Sequence, residues 1–134
     1  MIDVEVFGAE ALHDELSSSE VSGLCAHTAA RLGIEDGHVA VEFVDAARIA
    51  ELNAEHRARP TPTDVLSFPI DGVEPTPGGG APRELGDIVI CPEHTSDLRE
   101  AVVHGMLHLL GMDHETDRGE MLELQRELLV ELSR

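Results

Sequence analysis

The sequence predicts an α+β fold, with helices packed on one four-stranded sheet. Three observations carry this. Four short segments have the alternation or apolar run of strands, four longer ones keep helical spacing, and no segment repeats another. With 134 residues, 42% of them hydrophobic, the chain can bury one core, so residues 1–134 are expected to form a single domain.

Ile2, Val4 and Val6 alternate with Asp3 and Glu5, as in a half-buried first strand. A helix is expected from about Ser18 to Leu32. Ser17 and Glu20 have the spacing of a capping box, Val21, Leu24, Thr28 and Leu32 share a face, and Gly33 supplies the stop. His38 to Asp45 alternates again as a second strand, and Asp45 then caps a short helix from Ala46 to about Arg57. Val65 to Phe68 forms a third strand closed by Pro69. Residues 71–83, rich in Pro and Gly, form a loop. Asp87 to Cys91 is an apolar run of strand length. Two helices finish the chain, one from about Ser96 to Leu110 ending at Gly111, the other from about Asp117 to Leu132.

Charge narrows the function. Asp and Glu number 27 against nine cations, all arginine, for a formal charge of −18. Such a molecule should repel nucleic acid as a whole, which argues against a nonspecific nucleic-acid binder. It does not exclude an enzyme gripping one phosphodiester, because the Debye length in physiological salt is about 8 Å and a local basic pocket survives. The acidic excess reads first as a solvated surface and second as an attraction for a basic partner such as a ribosomal protein. No apolar run approaches the roughly 20 residues of a membrane span, and the opening MIDVEVFGAE lacks the basic-then-apolar pattern of a signal peptide. A cytoplasmic location without membrane contact is expected. Cys25 and Cys91 are too few and too distant for a disulfide framework or a CxxC site, and are expected to be reduced and buried.

The chemistry is concentrated in His104-Gly-Met-Leu-His108-Leu-Leu-Gly-Met-Asp-His114. Four residues apart on a helix, His104 and His108 leave the same face one turn apart, and their nitrogens can converge on one ion at about 2.0–2.1 Å. Gly111 can adopt the left-handed conformation that ends the helix and returns His114 as a third ligand. Val102, Val103, Met106, Leu107, Leu109 and Leu110 mark this helix as largely buried. Two imidazoles there need partners, which a metal supplies. Three protein nitrogens leave a fourth tetrahedral position open, as in catalytic zinc sites. One Zn²⁺ per chain is therefore expected on His104, His108 and His114. The pattern overlaps HExxHxxGxxH of the metzincin proteases but has Gly105 where those enzymes carry the glutamate base, so peptidase chemistry is not supported.

Arg57 and Arg59 sit at a helix end beside a loop, where guanidinium groups could grip phosphate oxygens or balance nearby acids and the helix terminus. LNAEHR, TDVLSFP, LGDIVICPE and HGMLHLLGMDH, in that order from about residue 39 to about residue 129, resemble the YbeY family of metal-dependent endoribonucleases. The resemblance implies a zincin-like domain with a mixed sheet and a metal site at the end of a C-terminal helix. It implies cleavage of single-stranded rRNA, in 3′-end maturation of the small-subunit (16S) rRNA and in ribosome quality control, with the small ribosomal subunit as partner. It places the zinc ligands on His104, His108 and His114 and catalytic roles on Arg57 and His104. Asp64 and Ser67 match the TDVLSF stretch as structural support, and Asp87 matches as a positioning group.

Two departures stand out. The connection from Glu93 to His104 is shorter than the family's, which alters the flank of the cleft. Pro60 and Thr61 stand where a charged pair is common, which weakens the grip on RNA. Two other functions stay open at this point. One is a zinc hydrolase of a different bond; the other is a ribosome assembly factor in which the ion only staples the last two helices.

Overall fold

The amino-terminal alternation becomes the first strand, with Ile2, Val4 and Val6 half-buried between exposed neighbours. This computed structural model describes residues 1–12, 16–57, 64–71 and 83–132, and the side chains of Ala11 and Arg57 lie outside that description. The elements are β1 (Ile2–Phe7), α1 (Ser18–Arg31), β2 (Gly37–Phe43), α2 (Ala46–Arg57), β3 (Val65–Pro69), β4 (Glu84–Ile90), α3 (Leu98–Leu109) and α4 (Glu120–Leu132). Two 3₁₀ turns, Ala9–Leu12 and Pro92–His94, were not anticipated.

The sheet is mixed, as expected. Its order is β1-β2-β4-β3, with β1, β2 and β4 parallel and β3 antiparallel at the edge. Val39, Val41 and Phe43 of β2 and Leu85, Ile88 and Ile90 of β4 join α1, α3 and α4 in the main core. Alternation along β3 and β4 sends Leu66 and Val89 to the other face, where they bury Ile49 and Leu52 of α2. Helix α3 is the centre of the packing, touching α1, α4, β3 and β4. Its Val102, Val103, Met106 and Leu107 are fully buried, each worth roughly 1.5–3 kcal/mol of gross apolar transfer.

Caps explain the helix limits. Ser17 and Glu20 form the expected capping box on α1. The Asp45 carboxylate accepts from the Arg48 N–H at 2.8 Å and opens α2. Helix α3 starts at Leu98 rather than near Ser96, because Asp97 is its cap and accepts from the Glu100 N–H. Helix α4 starts at Glu120, three residues later than expected. The Asp117 carboxylate accepts from the N–H groups of Gly119 and Met121, and Gly119 has φ +101°, which is not helical. Strand β4 begins at Glu84, earlier than the expected Asp87, and ends at Ile90. Gly86, at φ +142°, hid the start of the strand from its pattern. A Cβ there would lie 2.3 Å from the Phe68 carbonyl oxygen, so the close β3–β4 approach needs glycine. Of the expected loop 71–83, residues 72–82 lie outside the described residues.

Candidate metal centre

Helix α3 presents an almost wholly buried surface, and His104 and His108 form its partly exposed stripe. Past Leu110 the chain turns by a Schellman motif. The Gly111 N–H donates to the His108 carbonyl at 3.1 Å and the Met112 N–H to the Leu107 carbonyl at 3.0 Å, with Gly111 at φ +96°. That reversal carries His114 back to the two helical histidines. The ring centroids are 4.7 Å apart for His104 and His108, 5.1 Å for His104 and His114, and 5.3 Å for His108 and His114. One ligand atom from each lies within 4.8 Å of the others, making these three the group able to hold a metal among the described residues.

Their hydrogen bonds favour an ion. His104 Nδ1 lies 2.8 Å from Gln125 Oε1, and His108 Nδ1 lies 3.0 Å from the Met112 carbonyl oxygen. Both oxygens only accept, so each Nδ1 carries a proton and each neutral ring has its lone pair on Nε2. The two Nε2 atoms are 3.2 Å apart. Lone pairs facing at that distance repel unless a proton or a metal cation lies between them. Two nitrogens on one tetrahedral Zn²⁺ at about 2.0–2.1 Å would be separated by ~3.3–3.4 Å, close to the spacing found. Among the described residues, His114 Nδ1 is buried without a hydrogen-bond partner. The donor set therefore fits a first-row ion. Burial lowers the pKa of His108 below its ordinary value, and the neighbouring His104 and His114 lower it further. The neutral imidazole that ligation requires is thereby favoured.

The histidines open into a cleft of about 960 Å³, lined also by His56, residues 64–69 and residues 111–115. Its described wall carries Asp64, Asp113 and Glu115 and no lysine or arginine. His56 packs on Phe68 with ring centroids 4.6 Å apart. Ser67 Oγ donates to the Gly105 carbonyl at 3.1 Å and ties β3 to α3 beside the histidines. A Cβ on Gly105 would meet Ile88 Cγ2 at 2.6 Å, so the position that holds the glutamate base in peptidases is occupied here by the sheet.

The other candidates are placed as follows. Arg57 is the last residue of α2, next to His56 of the cleft, and its side chain lies outside the described residues, as does Arg59 altogether. Asp64 lies in the cleft, where its carboxylate accepts from the Val65 N–H at 2.9 Å. Asp87 opposes Phe68 in the β3–β4 register. Its pKa is raised, first by burial and then by Glu84, and its other charged neighbour is His38. Cys25 and Cys91 are both free and buried. Among the described residues no helix is long and apolar enough to cross a membrane. Sequence reasoning missed Gln125 and the Met112 carbonyl. Gln125 had left a trace, as a polar residue between Met121 and Leu128 on the apolar side of the last helix.

The family model described as "Endoribonuclease YbeY" matches residues 9–133. The chain is 41% identical to the endoribonuclease YbeY of Micrococcus luteus over 88% of its own length and 85% of the relative's. It is 37% identical to that of a Synechococcus strain, covering 94% of this chain and 89% of the other. The solution structure of a Thermotoga maritima protein superimposes with a TM-score of 0.57 at 26% identity, covering 96% of this chain and 88% of that one. The chain that carries this three-histidine cleft belongs to the endoribonuclease YbeY family.

Proposed function

We propose that this chain is a zinc-dependent endoribonuclease of single-stranded RNA, holding one Zn²⁺ on His104, His108 and His114. The observation that carries the reading is the pair of Nε2 atoms 3.2 Å apart in an open cleft, with His114 beside them. Family membership supports the reaction class, and the proposed setting is cytoplasmic maturation of the 3′ end of small-subunit rRNA and ribosome quality control. The proposed partners are single-stranded rRNA and the small ribosomal subunit, whose basic proteins suit a chain of charge −18.

Bound Zn²⁺ supplies Lewis acidity toward water and phosphoryl oxygens. The chain's own groups do the rest. Neutral imidazoles of His104, His108 and His114 hold the ion, and the Met112 carbonyl fixes the ring of His108. Ser67 fixes the spacing between the cleft wall and the metal-bearing helix. Arg57 is assigned to neutralise the negative charge that builds on the scissile phosphate. With acids on the described cleft wall, the RNA is held at the scissile phosphate rather than by a broad basic surface.

The test is cleavage of a short single-stranded RNA by purified, untagged protein of measured metal content. Chelation and His108→Ala should each abolish cleavage. Arg57→Ala should lower kcat by about 10²–10³ while zinc content stays the same. Cleavage that survives chelation would sink the proposal. A chain that unfolds on losing zinc, yet keeps its cellular function as Arg57→Ala, would instead favour the assembly factor stapled by zinc.

A further inference from the structure

His108 is oriented by a backbone carbonyl of its own turn, whereas His104 depends on a side chain from another helix. Gln125 is 8% exposed and sits on α4 between the fully buried Met121 and Leu128. An amide enclosed in that apolar stripe is costly unless its polar atoms are paired, and its Oε1 lies 2.8 Å from His104 Nδ1. A glutamine amide can face a histidine in two ways. With its oxygen toward Nδ1 it accepts the Nδ1 proton and leaves the Nε2 lone pair free. With its NH₂ toward Nδ1 it would donate, and the ring proton would move to Nε2. The first arrangement is compatible with His104 Nε2 sitting 3.2 Å from His108 Nε2 and sharing an ion with it; the second blocks that atom.

We infer that Gln125 is the positioning residue of the metal site: its carbonyl oxygen holds His104 in the Nδ1–H form and aims the Nε2 lone pair into the cleft. The inference rests on the metal reading above and gives α4 a second role. The helix covers the core, and it also selects which nitrogen of His104 can bind. A neutral amide does this without placing a negative charge beside the ion, so the ion's charge remains available to an anionic phosphodiester.

Two measurements test the assignment, each on the parent chain, Gln125→Leu and Gln125→Glu. The first uses metal-free protein, with ring ¹⁵N shifts and two-bond ¹H–¹⁵N correlations of His104. The parent and Gln125→Glu should be protonated at Nδ1. Gln125→Leu, which keeps the volume within an apolar stripe, should shift His104 toward the Nε2–H form that an unconstrained neutral histidine favours. The second is Zn²⁺ and Co²⁺ affinity by competition with a chromogenic chelator. Gln125→Leu should bind about 10–100-fold more weakly, and Gln125→Glu as tightly as the parent or better. An Nδ1–H form that persists in Gln125→Leu overturns the inference, as does an equal loss of affinity in both variants. A parent chain that binds neither metal overturns the metal reading alone, since the ring measurement on metal-free protein still decides the role of Gln125.

Discussion

Gly105 shows what one residue decides beside the three histidines. Glycine in a helix interior costs about 1 kcal/mol relative to alanine, so Gly105→Ala would ordinarily stabilise the chain. Here the new methyl would meet Ile88 Cγ2 at 2.6 Å, and Ile88 is a fully buried, β-branched strand residue with no room to yield. Overpacking of this kind costs about 1–3 kcal/mol. The clash therefore outweighs the helix gain, and Gly105→Ala is expected to lower stability by about 1 kcal/mol, the middle of the roughly 0–2 kcal/mol that this difference leaves, and Tm by several degrees in thermal unfolding. An unchanged or higher Tm would mean that β4 can retreat from α3. The sequence identified this glycine by what it lacks, the glutamate of a peptidase. Its structural reason stayed hidden, because contact with Ile88 depends on how the helix lies on the sheet and leaves no periodic mark.

At the scale of elements, the sheet carries its own ionic clasp. His38 on β2 reaches Glu84 on β4 through Nδ1 at 2.5 Å and Glu5 on β1 through Nε2 at 2.6 Å, with Asp87 also nearby. The hydrogen bond to Glu84 raises the pKa of His38 above its ordinary 6.5 and Glu5 adds to this, while burial opposes both. A histidine whose folded pKa is raised stabilises the fold fully below about 6.5, and that contribution fades as pH climbs through the folded value. Urea unfolding of the parent against His38→Gln should therefore show an advantage for the parent near pH 6 that shrinks toward pH 9. A difference that is flat over that range would remove the clasp. Strands and helices were legible where period and cap agreed, as in α1 with its capping box and α3 with its Gly111 stop. They were misplaced where a side-chain bond overrode the pattern, as at Asp117, and where Gly86 interrupted the apolar run of β4. The three histidines were legible because sequence spacing and a helix end suffice to gather them. Gln125 was not, because its partner lies 21 residues away on another helix.

The whole molecule carries a formal charge of −18, and the ion pairs of Arg31, Arg48 and Arg99 are exposed. Arg31 reaches Glu127 at 3.0 Å and Glu131 at 3.1 Å, joining α1 to α4, and Arg48 pairs with Glu51 on one helix. Exposed pairs contribute about 0–1 kcal/mol each. Salt weakens those pairs but also screens the repulsion among 27 acids, whose range falls from about 30 Å at 0.01 M to 10 Å at 0.1 M ionic strength. Repulsion is the larger effect at this charge, so Tm in calorimetry should rise as NaCl increases from 10 to roughly 300 mM. A falling Tm would assign more stability to the ion pairs than their exposure allows. The link between α4 and the helix that carries His104 and His108 also has a consequence in time. A chain is made from its amino end, and His104 emerges 21 residues before the glutamine that accepts its ring proton. A nascent chain thus holds all three histidines before the residue that faces His104 has been added, so the alignment inferred for Gln125 has to wait for α4.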